Sequence, residues 1–198
     1  MSESNPSSHS NLVELARAGN KEAFTTLFEK HQLGIYGFLA GLVGNSEDAY
    51  DLAQQTFFKA WQELVHLREA SKFTAWLYRI ARNLAYDQGR RRKHIIWVSF
   101  GNLDDADTIF QGPDPAEQLA QKDLIKAILA QLPLKYCECL LLKIEGGLSH
   151  RQIAEIVGIS EESVSTYVST ARKLFRHLYH QQNLTYSIST GKEVPLDE

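Results

Sequence analysis

Residues 150–169 read HRQIAEIVGISEESVSTYVS, and this stretch decides the fold. Just ahead of it, Ser149 and Gln152 have the spacing of a capping box, so a short helix opens there and runs to about Val157. Gly158 follows as the residue that takes positive φ without a Cβ clash. Ser160, with Glu161 and Glu162 behind it, then reads as the cap and acidic first turn of a longer helix reaching about Tyr179. Small Ala154 suits a close helix crossing, and Val164 returns the second helix to an apolar set with Ile153, Ile156, Val157, Ile159, Val168, Ala171 and Phe175. This is the layout of a helix-turn-helix. With Val164, Val168, Ala171 and Phe175 inward, Glu162, Thr166, Ser169, Thr170 and Lys173 fall on the outer face, where hydroxyls and an ammonium can reach bases or phosphates. Cations are few on that face, so this unit alone is expected to hold DNA weakly.

Upstream of the motif, residues 116–131 read as one helix, and Pro133 suits the first turn of the next, which Gly146-Gly147 stop near Glu145. Residues 94–118 carry five acidic groups, no basic ones, and Gly101, Gly112, Pro113 and Pro115, the composition of a mobile acidic linker. Before the linker the spacing of three and four returns. Residues 12–18 and 21–36 read as helices, the second carrying Phe24, Leu27, Phe28 and Ile35, with a continuation as far as Val43 left open. Gly44-Asn45 break the chain, and Ser46 is the expected cap of a helix to about Leu64. Its stripe Tyr50, Ala53, Phe57, Trp61 and Leu64 is expected to pack, while Asp48, Asp51, Gln55, Lys59 and Gln62 lie opposite.

After a connector over 65–73, a helix over about 74–91 segregates most sharply. Trp76, Leu77, Ile80, Ala81 and Leu84 group on one side, and Arg79, Arg82, Asn83, Tyr86 and Arg90 group almost opposite. A basic, aromatic-edged front suits phosphate contact and base stacking. An ordinary solvated face, with basic residues complementing the helix C-terminus, explains it equally well when taken alone.

The expected architecture is therefore all-α, two small helical domains joined by a flexible acidic linker. The expected division is 1–10 disordered, 11–93 first domain, 94–118 linker, 119–180 second domain and 181–198 disordered tail. The net charge of −3 from 21 Lys+Arg and 24 Asp+Glu conceals this distribution: residues 1–93 carry 12 basic and 10 acidic groups, and residues 119–198 nine of each. No apolar run approaches the ~18 residues a membrane span needs, and the polar start has no apolar signal centre. A cytoplasmic protein is expected. Cys137 and Cys139 point to different sides of one helix and read as packing residues, not a disulfide. The histidines show no metal spacing, and neither a Gly-rich phosphate loop nor a nucleophile elbow is present, so no cofactor and no enzyme activity are expected.

Three blocks carry a resemblance: DAYDLAQQTFFKAW at 48–61, FTAWLYRIARNLAYD at 73–87, and Leu132-Pro133 followed by GGLSHRQIAE at 146–155. In that order, across an acidic linker, the chain resembles a group IV, extracytoplasmic-function sigma factor of the sigma-70 family from about residue 11 to 180. The resemblance implies a monomer that binds core RNA polymerase, directs promoter-specific initiation, and is held by an anti-sigma factor. It implies a polymerase-binding face of Asp48, Asp51, Gln54, Gln55 and Lys59 on the clamp helices of the largest subunit, with the flap as a further contact. Minus-ten recognition and strand capture would fall to Arg68, Lys72, Phe73, Trp76, Arg79, Arg82, Asn83, Tyr86 and Arg90. Minus-thirty-five reading would fall to Arg151, Ser160, Glu162, Ser163, Thr166, Ser169, Thr170, Arg172 and Lys173. The recognition helix departs from the family pattern, with Ser165, Tyr167 and Thr170 standing where a Lys and two Arg are common. A polymerase-independent DNA-binding regulator and a sigma-like interaction protein are the competing classes.

Overall fold

In the computed structural model, which describes residues 6–91 and 115–190, the described residues are helical apart from short turns. Four helices form the first unit: α1 (Pro6–Arg17), α2 (Lys21–Val43), α3 (Ser46–Glu63) and α4 (Phe73–Arg91). Two 3-10 turns, Leu64–His66 and Ala70–Lys72, link α3 to α4. The second unit comprises α5 (Pro115–Leu129), α6 (Leu134–Ile144), α7 (His150–Val157) and α8 (Glu161–Thr190). The linker expected over 94–118 lies outside the described residues up to 114.

Local chemistry sets the helix ends. Asn20 starts α2 by accepting from the Ala23 amide at 2.8 Å. Asn45, not the expected Ser46, caps α3, accepting from the Asp48 amide at 2.9 Å. Asn45 has the extended backbone a cap requires, and Ser46 is already the first helical residue.

α1 begins at Pro6, inside the segment expected to be disordered, because proline fits the first turn of a helix and Val13 and Ala16 give the helix a buried side. α8 continues to Thr190, past the expected end near Tyr179, since residues 181–190 contain neither glycine nor proline and the first breaker is Gly191. The remainder of the tail lies outside the described residues.

In α3 the buried positions are Ser46 at its start and then Ala49, Leu52, Ala53, Thr56, Phe57 and Ala60, so the packed stripe is rotated from the one the sequence suggested. Tyr50, expected inside, is 57% exposed. Thr56 is buried because its hydroxyl donates to the Leu52 carbonyl at 2.7 Å and thereby needs no water.

The first core gathers Leu27, Ile35, Phe38 and Leu39 of α2, Leu52 of α3, and Phe73, Leu77 and Tyr78 of α4. The second gathers Ile128, Leu142, Ile153, Val164 and Ala171. The two units do not sit apart: α2 packs on α6, and α4 on α7, so one continuous apolar cluster runs through both.

Candidate nucleic-acid and polymerase interfaces

The helix-turn-helix is built as its residue types require. The Gln152 amide donates to Ser149 Oγ at 3.3 Å, and the Ser149 amide donates to Gln152 Oε1 at 2.9 Å, closing the capping box. Gly158 sits at φ 75° and ends α7. Ser160 Oγ accepts from the Ser163 amide at 3.2 Å and opens α8. Val164, Val168 and Ala171 are buried, which turns Glu162, Thr166, Ser169, Arg172 and Lys173 to solvent and leaves Ser163 and Thr170 half-buried. Arg151, on the first helix, is exposed and lies 3.4 Å from Glu155; Ser160 is exposed in the turn. Tyr167 is half-buried, its ring 4.6 Å from that of Tyr136, so this position packs where a cation is common in the family.

The expected strand-opening surface divides in two. Arg68, Lys72, Arg79, Asn83 and Arg90 are exposed. Lys72 is 2.7 Å from Glu69, Arg90 is paired with Asp87, and the connector is tied down by Arg17, whose guanidinium donates to the Leu67 carbonyl at 2.9 Å. Phe73 does not belong to the exposed group. It is buried, in ring contact with His9, His31 and Trp76, and Trp76 is half-buried at its side. Phe73 opens α4 facing the α1–α2 pair, which is why a residue counted as DNA-facing ends as a core residue.

Arg82 and Tyr86, also counted on the open face, are covered by the second unit. Arg82 Nε donates to Glu138 Oε1 of α6 at 2.8 Å, and its guanidinium lies 4.3 Å from the Tyr86 ring centre. Burial, reinforced by the Glu138 charge, pushes the Tyr86 hydroxyl well above the ordinary phenol range, so it stays protonated as a donor.

On α3, Asp51, Gln54 and Gln55 are exposed, and Asp48 and Lys59 are half-buried. Asp48 also accepts from Gln88 at 3.0 Å, which fixes α4 beneath this face. Tyr50 and Phe58, 57% and 64% exposed, stand among these polar groups and were missed in the sequence. The pair Phe57-Phe58 held the signal: adjacent helical residues point about 100° apart, so both cannot enter one core. No group of three metal-ligating side chains occurs among the described residues, and no described helix is long and apolar enough to cross a membrane. Cys137 and Cys139 are buried and free, their thiols pushed up to about 12 by burial and the Glu138 charge.

A helical unit with an exposed basic helix, followed by a helix-turn-helix unit, is the architecture of a two-domain transcription factor. Residues 27–95 match the family model "Sigma-70 region 2" and residues 122–175 match "Sigma-70, region 4". The chain is 31% identical over 171 residues to the RNA polymerase sigma-H factor of Pseudomonas aeruginosa, spanning 82% of this chain and 89% of that protein. It is 32% identical over 149 residues to the sigma factor CarQ of Myxococcus xanthus, 75% of this chain and 84% of that one. It is 30% identical over 158 residues to the ECF sigma factor BldN of Streptomyces coelicolor, 78% of this chain but only 60% of that longer protein. For the probable sigma factor RfaY of Xanthomonas campestris the covered share falls to 44%. The fold matches that of CnrH, solved with the cytosolic domain of CnrY, at TM-score 0.65 and 23% identity over 87% of this chain and 97% of that one. It also matches RpoE of Bartonella quintana, solved with the anti-sigma factor NepR, at 0.63 and 24% over 78% and 95%. The chain belongs to the extracytoplasmic-function group of the sigma-70 family.

Proposed function

We propose that this protein is a promoter-specificity factor that binds core RNA polymerase in the cytoplasm and directs transcription initiation, with no chemistry of its own. Its working units are residues 11–93 and 119–180. The exposed polar face of α3, with Tyr50 and Phe58 as apolar anchors among Asp51, Gln54 and Gln55, docks on the polymerase clamp helices. Arg68, Lys72, Arg79, Asn83 and Arg90 hold the non-template strand at the minus-ten element, joined by Arg82 and Tyr86 once these are uncovered. The outer face of α8 enters the major groove at the minus-thirty-five element, Lys173 and Arg172 supplying phosphate contacts and Thr166 and Ser169 hydroxyls. The observation that carries the reading is the exposed Arg79, Asn83 and Arg90 of α4 and the solvent-facing Thr166, Ser169, Arg172 and Lys173 of α8, in units that match regions two and four in that order. An anti-sigma factor is the expected regulator, since the proteins sharing this fold were solved bound to CnrY and NepR.

The test is transcription in vitro by bacterial core polymerase on fragmented genomic DNA from the source, with and without the protein, mapping 5′ ends. Discrete protein-dependent starts preceded by two spaced elements establish the function. Binding to core with no such start refutes initiation and leaves a sigma-like interaction protein.

A further inference from the structure

Glu138 is the one fully buried carboxylate among the described residues, on a helix whose inward neighbours are Cys137, Cys139 and Leu140. Burying a carboxylate costs several kcal/mol unless a partner answers it. Its ion-pair partner is Arg82 of the other unit, whose side chain is only 17% exposed; Glu138 Oε2 has no hydrogen bond. Nothing in the helix-turn-helix requires an acid here.

A second observation lies on α2. Gly34, Gly37 and Gly41 stand at helical spacing of three and four in mid-helix, where glycine disfavours the helix relative to alanine. The second unit approaches all three, most firmly at Gly41, while at Gly34 Tyr78 of α4 comes closer still. A Cβ on Gly34 would meet the Glu145 carbonyl oxygen at 2.8 Å and Tyr78 Oη at 2.6 Å. On Gly37 it would meet the Glu145 carboxylate at 2.7 Å, and on Gly41 the Leu141 methyls at 2.9 Å. Further contacts cross the same seam: Lys126 Nζ donates to Ser46 Oγ at 3.0 Å, and Cys137 Sγ lies 3.9 Å from the Gly41 carbonyl oxygen. A glycine stripe that admits α6, and a buried acid answered only across the seam, together describe a built interface.

We propose that the chain closes on itself, with α6 of the second unit seated on the glycine face of α2 and Glu138 occupying, in place of a DNA phosphate, the Arg82–Tyr86 part of the strand-capturing surface. The second unit is thus a built-in competitor for single-stranded DNA, and engagement of DNA by Arg82 requires the seam to open. This rests on the assignment of α4 as the strand-capturing helix.

The experiment uses the full chain. Gly41→Leu wedges the seam at Leu141 and Leu129 while raising the helix propensity of α2, so the first unit keeps its fold; Glu138→Gln removes the charge with little change in shape. Far-UV circular dichroism verifies both. Seam opening is read by the iodoacetamide alkylation rate of Cys137, resolved by mass spectrometry, and strand capture by the anisotropy of a fluorescein-labelled single-stranded DNA of mixed sequence. Gly41→Leu should alkylate at Cys137 about tenfold faster than wild type, and both variants should bind the probe about tenfold tighter, because apparent affinity scales with the fraction of open chain; alkylation is read in Gly41→Leu alone, since loss of the Glu138 charge itself activates the neighbouring thiol. Unchanged alkylation in Gly41→Leu overturns the closure. Faster alkylation without tighter probe binding overturns the competition, and Arg79→Ala then separates the causes: if it still weakens the probe, α4 remains the DNA face, and if it does not, that assignment fails too.

Discussion

Acidification should loosen the support of α4, and the amount follows from one histidine. His31 of α2 lies with its Nε2 3.1 Å from His9 Nε2 of α1, in ring contact with Phe73 at the start of α4. Burial, then the neighbouring His9 and Lys30 charges, pull the His31 imidazole down to about 4, and burial lowers His9 as well. Folded His31 is therefore neutral, whereas the unfolded chain takes up its proton near the ordinary value of ~6.5. The stability it contributes is complete above that value and is lost as the pH falls from there toward 4. Linkage over these two pKa values gives about 2 kcal/mol lost between pH 7 and pH 5 from His31 alone. Urea unfolding at the two pH values measures this, with His31→Gln as the reference that carries no proton. The wild type should lose about 2 kcal/mol more than the variant, and its His31 ring resonance should not titrate above pH 5. Equal losses in the two proteins, or a ring midpoint at 6 or higher, would refute the buried, neutral pair.

Lys173→Ala should weaken upstream duplex binding by the polymerase holoenzyme and reduce the salt slope by about one, with little change in start-site opening once bound; the slope of affinity against salt reads it. Phe58→Ala should weaken association with core polymerase by about tenfold in a pull-down titration while leaving the melting temperature unchanged, since its ring is already in water. Gly158→Ala should destabilise the chain by about 1 kcal/mol in urea unfolding, because the left-handed turn at φ 75° disfavours any Cβ, although no neighbour crowds that position.

The helix-turn-helix was legible because its determinants are local. The capping box, the turn glycine and the Ser160 cap act within four residues, and the stripe of Val164, Val168 and Ala171 faces a partner close in sequence. The apolar back of α4 was legible for the same reason, but its front was legible only in Arg79, Asn83 and Arg90, since Arg82 and Tyr86 are covered by an acid of the second unit that angle alone does not show. The start of α1 was missed because residues 6–10 carry a helix-starting proline but little apolar signal, and the order there comes from packing of His9 against His31 and Phe73. Tyr50 was misplaced because smaller residues fill the seam: Ala49 and Ala53 let α3 approach its neighbours closely, and a tyrosine one position away is turned out.

The seam between the units left its marks in the sequence, but they were unreadable there. Three glycines inside α2 look like weak helix chemistry until Leu141 of α6, Glu145 just past it and Tyr78 of α4 fill the space above them, and Glu138 between two cysteines looks like a solvated acid until Arg82 faces it. Both features have meaning only as a pair some fifty to a hundred residues apart, which no periodicity detects. The kind of contact also matters. Had the seam been wholly apolar, parting it would expose only surface that water rejects. A buried carboxylate, even one answered by Arg82 and Tyr86, repays little of its desolvation, so when the seam opens Glu138 and Arg82 both regain water or a new partner. For Arg82 that new partner can be a phosphate, which offers a single negative charge and two acceptor oxygens as the carboxylate it replaces does. Closure of this type is therefore stable enough to cover Arg82 in the free chain and weak enough for polymerase and DNA to undo.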